Sequence, residues 1–290
     1  MEIEQKLNKL RGFLYNTLIG NVLVLIIILA SIYALVCFIK KADYSRETDS
    51  KISENVYEGC TVAGIGIHGT LLTYIPNHAE NDTYFDYDVV ASEEITWSID
   101  NANADENIKA ILVEVDSVGG STVAGEEISN IIKNSEKPVI AFIREFGTSS
   151  AYWAVSSADK IFASKNSNVG GIGITMSYLS GAEKNINEGY VYQEISVGKY
   201  KDAGSPDKPL SSEEKAMFLR DSKIVYENFI SQISENRKLP IEQVRKIADG
   251  ATVLGEKAKE LGLIDEIGSQ TEAEKYLEET IGEEAIICWQ

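Results

Sequence analysis

The chain has 290 residues, 44% hydrophobic and 25% charged, a globular composition without the bias of a disordered polymer. A formal charge of −18, with lysines interleaved among acids and no Lys/Arg-rich patch, excludes a nucleic-acid partner, because phosphate binding needs clustered cations. The three cysteines, Cys37, Cys60 and Cys288, lack CxxC spacing and make neither a zinc set nor a disulfide framework. They read as scattered thiols, with a Cys60–Cys288 bridge left open for a domain outside the cell.

Residues 1–17 are a short N-terminal segment. Leu18 to Ile39 follows, 22 residues without a charge. As a helix it would rise about 33 Å, enough to cross a hydrocarbon core. The run is too long for a signal peptide, and no small-residue cleavage site precedes Lys40-Lys41, so it reads as a retained transmembrane helix. Lysines and arginines flank it on both sides, so charge does not orient it. Residues 40–60 are a polar linker, and residues 61–290 form the soluble domain.

Within that domain "CTVAGIGIHGT" predicts a strand ending at Gly69, and Lys109 to Asp116 a second strand closed by Gly119-Gly120. A helix then places Ala124, Ile128, Ile131 and Ile132 on one face. "KPVIAFI" predicts a buried strand, and the serine-rich stretch after Gly147 opens a helix. "YVYQEISVG" alternates like another strand. Ser211 and Glu214 have capping-box spacing ahead of a long helix with Phe218, Val225, Phe229 and Ile233 on one side. Pro240 starts a short one. Strands alternating with helices predict an α/β domain with a largely parallel sheet.

Two junctions carry chemistry. Glycines at the turn after "VEVDSV" let bare backbone N–H groups face a ligand beside a helix start, a geometry suited to an oxyanion or a phosphate. The turn lacks a P-loop Lys-Ser/Thr pair and GxGxxG spacing, which argues against a nucleotide. The second junction, "GTSSA", offers Thr148, Ser149 and Ser150 at the sheet edge where ligands bind in open α/β folds, although it departs from the G-x-S-x-G elbow. A nucleophilic serine needs a base. The only histidines, His68 and His78, lie in turn-like and polar contexts. Lys199 and Lys201 follow the predicted strand and could enter a site. A lysine base must be neutral near pH 7, and lowering its pKa from about 10.4 to about 7.5 costs roughly 4 kcal/mol, which requires burial.

Four ordered blocks, "DSVGGS", "TSSAYWAVSSADKIFAS…VGGIGI", "GKYKDAGSP" and "KIADGATVLGEKAKELGLIDEIG", together resemble the signal peptide peptidase A family, membrane-anchored serine peptidases of the Clp–crotonase fold with its repeated ββα units. The resemblance covers residues 62–268. It implies Ser149 as nucleophile, three residues before Tyr152, and Lys201 as general base after Tyr200. It implies that the Gly120 backbone N–H holds the oxyanion. No cofactor or metal is implied. It further implies hydrophobic peptide substrates such as leftover signal peptides and an extracytoplasmic catalytic domain. A homo-oligomer is also implied, in which Ser and Lys can come from neighbouring subunits. The sequence departs from the family pattern at Val118, at Ser150-Ala151 in place of two glycines, and at Ala251. It departs again at Gly171, where the family carries a serine that positions the lysine; Ser167 and Ser177 are the nearby substitutes. These departures motivate a non-catalytic scaffold of the same fold as an alternative. A crotonase-like acyl-CoA enzyme is a further one.

Overall fold

Nine strands join in one sheet with the order β2-β1-β3-β4-β5-β8, formed by β1 (Val62–Leu72), β2 (Val89–Ala91), β3 (Ala110–Gly120), β4 (Val139–Thr148), β5 (Lys160–Ala163) and β8 (Glu266–Ile267). The computed structural model describes residues 59–75 and 88–290, which fall in the compact unit Tyr57–Gln290. The proposed transmembrane helix, Cys37 and His78 lie outside the described residues. Among the described residues no helix is long and apolar enough to cross a membrane.

Every pairing in the sheet is parallel except that of β6 (Asn168–Gly170) with β7 (Thr252–Leu254). A parallel sheet needs cover on both faces, and its central strand shows it: Ala110 to Val115 are buried without a break. One face carries Ile65, Ile67, Val113, Val115, Ala141 and Ile143. It is covered by helices α1 (Ser92–Ala104), α2 (Thr122–Lys133), α3 (Ser150–Val155), α5 (Ser212–Asn236), α6 (Ile241–Ile247) and α7 (Gly255–Glu260), whereas the short α4 (Ala182–Asn187) adds no residue to this cluster. The opposite face, with Leu112, Ile140, Phe142 and Phe162, packs on Ala273 and Leu277 of α8 (Gln270–Ile281). The mixed α/β layering with mostly parallel strands is as the sequence predicts.

The first strand runs past Gly69 to Leu72, with an irregularity in its pairing to β3 between His68 and Thr70. In α2, Ala124, Ile128 and Ile132 are buried on the predicted face. The capping box of α5 forms both bonds: the Glu214 N–H donates to Ser211 Oγ and the Ser211 N–H to Glu214 Oε2. Only the second half of α5 enters the core, through Phe229, Ile230 and Ile233. At about 37 Å this helix is long enough for its first half to project beyond the sheet.

Two expectations are corrected. "YVYQEISVG" forms no strand: residues 190–196 have no regular structure and are exposed. A strand needs a neighbour to accept its backbone hydrogen bonds, and no described residues supply one. The cysteines are not scattered thiols. Strand β9 (Ile287–Trp289) pairs in parallel with β1, and this brings Cys288 to Cys60 in a disulfide with Cα atoms 5.9 Å apart. Two cysteines 228 residues apart in sequence meet because of that register.

Candidate active site

Strands β3 and β4 end side by side at Gly120 and Thr148, and the serine-rich turn sits between the end of β4 and α3. Ser149 has φ 55° and ψ −131°, and it is one of two non-glycine residues with positive φ among those described. Such a backbone costs of order 1–3 kcal/mol and persists only where surrounding contacts impose it. Here the Ser149 N–H donates to the Gly170 carbonyl at 2.7 Å, and the Ser149 carbonyl accepts from Trp153 N–H at 3.0 Å. The result is a sharp strand-to-helix elbow that lifts the side chain off the sheet edge, although the motif is G-T-S-S-A.

The neighbouring hydroxyls are committed elsewhere. Thr148 Oγ1 donates to the Val118 carbonyl, Ser156 Oγ to the Trp153 carbonyl, and Ser157 Oγ to the Ser129 carbonyl. Ser150 is fully buried. Ser149 alone of this group lines a cleft of about 450 Å³ apart from Thr148, and among the described residues its hydroxyl has no hydrogen-bond partner. Gly171, Ile174, Lys223, Tyr226 and Asp249 complete much of the wall. A second, larger trench with Met176, Phe218 and Leu210 shares Ile174, Thr175, Leu219 and Ser222 with it.

Backbone donors surround the elbow. Ser150 is the first residue of α3, so its N–H has no intrahelical acceptor. This donor escaped the sequence reading, because it depends on the turn rather than on a side chain. Gly119, at φ +100°, lies so close that a Cβ there would meet Ser149 Cβ at 2.9 Å. The Gly120 N–H donates to Ser150 Oγ at 2.7 Å.

Candidate bases are placed as follows. Lys201 is exposed in a turn closed by its own N–H bond to the Gly198 carbonyl, and it does not line the Ser149 cleft. Lys223 of α5 does, and no sequence motif marked it. His68 is engaged by Glu114 at 3.0 Å, a carboxylate that also holds Arg144 at 3.2 Å. Gly171, at φ +60°, sits beside the elbow: a Cβ there would touch the Ser149 amide nitrogen at an ordinary 3.4 Å. Ser167 does not substitute for the missing hydroxyl, since its Oγ bonds the Ile143 and Arg144 carbonyls. Among the described residues no cluster of His, Cys, Asp and Glu could hold a metal ion.

The segment carrying Lys201 is pinned at one point. Lys208 Nζ lies 2.9 Å from Glu194, 3.1 Å from Asp202 and 3.2 Å from Glu214. These bonds, Glu194 first, hold the Lys208 ammonium above the ordinary lysine range. Asp202 is held below the usual carboxylate range by the Tyr192 hydroxyl and then by Lys208. Glu194 is lowered by Ser196 and then Lys208, and Glu214 chiefly by its capping bonds to Ser211.

A hydroxyl on a strained elbow, with backbone amides beside it and an open cleft in front, is an arrangement with the parts that serine acyl transfer requires. Residues 131–283 match the model of Peptidase family S49, and the chain belongs to that family. It is 36% identical over 185 residues to a putative protease of Methanocaldococcus jannaschii, covering 62% of this chain and 59% of that one. It is 29% identical over 226 residues to Protease 4 of Haemophilus influenzae, covering 77% of this chain and 35% of the relative. A putative signal peptide peptidase of Enterococcus faecium is 29% identical over 172 residues, covering 58% of this chain and 50% of that protein. The chain thus spans between about a third and three fifths of the length of these relatives. Among solved structures, a ClpP1 mutant from Listeria monocytogenes covers 72% of this chain and 93% of its own with 17% identity and a TM-score of 0.45.

Proposed function

We propose that this chain is a membrane-anchored serine endopeptidase of the Clp–crotonase fold that cleaves apolar peptides, with Ser149 as nucleophile and Lys201 as general base. The observation that carries the reading is the unbonded Ser149 hydroxyl on a strained elbow, facing a cleft beside the free first amide of α3. In the reaction Lys201 takes the Ser149 proton as Oγ attacks the peptide carbonyl carbon. Backbone N–H groups of Ser150 and Gly120 receive the oxyanion. The tetrahedral intermediate expels the amine, which leaves with the proton from the Lys201 ammonium, and water then hydrolyses the acyl-serine. The apolar trench lined by Ile174, Met176, Leu210, Phe218 and Leu219 supports hydrophobic substrates.

Lys201 is exposed within one chain, yet a neutral amine needs burial. A second copy answers both needs, and the exposed apolar residues on the same segment support it. Leu179, Val191, Ile195 and Val197 are 88, 79, 94 and 98% exposed. We therefore assign Ser149 and Lys201 to one composite site between neighbouring copies. The disulfide supports an oxidising, extracytoplasmic compartment for the domain, and the apolar Leu18–Ile39 run supports the anchor.

Lys223 favours a second reading, with a base from the same chain, because it lines the Ser149 cleft. Full-length protein in detergent, assayed on an apolar fluorogenic peptide, separates them. Ser149→Ala is expected to lower kcat by at least 10³-fold, in the range seen when a nucleophile or base is lost. Lys201→Met is expected to do the same and Lys223→Met to change it less than threefold. Loss on Lys223→Met alone assigns the base to α5. Undiminished hydrolysis by Ser149→Ala removes Ser149 as the nucleophile, whereas no hydrolysis and no fluorophosphonate labelling of Ser149 in the unmodified folded protein leaves the scaffold.

A further inference from the structure

The amide expected to bind the oxyanion is already bonded. The Gly120 N–H donates to Ser150 Oγ at 2.7 Å, and Ser150 has no exposed surface. Neither residue lines the cleft that Ser149 faces. Gly120 itself is exposed at the end of β3, so the donor is engaged by a buried hydroxyl while its own backbone stands open to solvent.

Both partners of this bond are held in place by packing. A Cβ on Gly120 would lie 2.2 Å from the Leu71 carbonyl oxygen, and the Ser121 N–H donates to that same oxygen at 2.8 Å. This anchors the turn to β1. On the other side, a Cβ on Gly125 of α2 would fall 2.9 Å from Ser150 Cβ and 2.6 Å from the Ser150 carbonyl oxygen. Only a glycine there leaves room for the Ser150 side chain. One hydroxymethyl group thus fills the gap between two helices and accepts from the donor.

We propose that Ser150 is a latch on the oxyanion site: its hydroxyl occupies the Gly120 N–H, and acyl transfer at Ser149 requires that bond to open. A hydroxyl that relayed hydrogen bonding outward to the substrate would need access to the cleft, which a fully buried side chain lacks. Ser150 is accordingly a positioning residue that acts through Gly120, and the inference rests on Ser149 being the nucleophile. Opening one hydrogen bond of ordinary net strength corresponds to roughly a five- to tenfold change in rate.

The test compares Ser150→Ala and Ser150→Gly with the unmodified full-length protein, using the rate of Ser149 labelling by a fluorophosphonate and peptide hydrolysis. Both variants are expected to label about five- to tenfold faster and to raise kcat by a similar factor, with KM and the midpoint of the pH profile unchanged. The Gly120 amide is expected to exchange with deuterium faster in both. The alanine variant guards against loss of helix stability in the glycine one. Labelling at or below the unmodified rate in both folded variants overturns the latch. Absence of Ser149 labelling in all three proteins, with the exchange difference present, instead removes the nucleophile assignment and the latch's catalytic role with it.

Discussion

Ser149 concentrates the tension between folding and chemistry in one residue. Its φ of 55° and ψ of −131° suit glycine better than any side-chain-bearing residue. Ser149→Gly is expected to relieve about 1–3 kcal/mol of strain against about 0.5–1 kcal/mol of added chain entropy. The variant should therefore melt slightly higher than Ser149→Ala, which keeps the strain, while both lose hydrolysis; a lower melting temperature for the glycine variant would count against strain at the elbow. Tyr152, three residues on, does the opposite work. Its buried hydroxyl donates to the Leu263 carbonyl at 2.8 Å, and burial raises its pKa above the ordinary tyrosine range. It is a tether for α3, and Tyr152→Phe should cost about 1–3 kcal/mol by leaving that carbonyl unpaired, read by denaturant unfolding.

At the scale of elements, the segment that carries Lys201 depends on a single cation. Lys208 gathers Glu194, Asp202 and Glu214, and Asp202 is the residue after Lys201. Lys208→Met would leave three carboxylates facing one another. Residues 190–208 should become more sensitive to limited proteolysis, and kcat should fall several-fold, with the main thermal transition nearly unmoved and partial recovery in Lys208→Arg. Because the three carboxyls titrate below their ordinary values of 4.5, 3.8 and 4.5 when folded, their contribution is complete above those values. It is lost as the pH falls through and below them. Lys208, raised, keeps its charge until the pH passes above the ordinary 10.5. Amide protection across this segment, taken relative to the intrinsic exchange rate at each pH, should therefore fall below about pH 4 before that of the core does. The capping box of α5 and the buried face of α2 were legible in the sequence because their contacts are local. The alternation in "YVYQEISVG" misled, since side-chain pattern alone does not supply the strand beside it.

For the molecule as a whole, the layering was legible, from strands alternating with helices, and the family from its ordered blocks. The Gly120–Ser150 bond was not, because it turns on the orientation of one hydroxyl. Nor was the Cys60–Cys288 bridge, which depends on how β9 registers against β1. In the chain-entropy view such a long closed loop contributes roughly 2–5 kcal/mol. Reduction, or Cys288→Ser, should lower the melting temperature by about 5–15 °C, and an unchanged value would show that β9 docks without its crosslink. The bridge also sets what a cut chain looks like. A single protease nick within the exposed run around Ile195 leaves two polypeptides still tied through sulfur. They should migrate as one band on a non-reducing gel and separate into two only when a thiol is added.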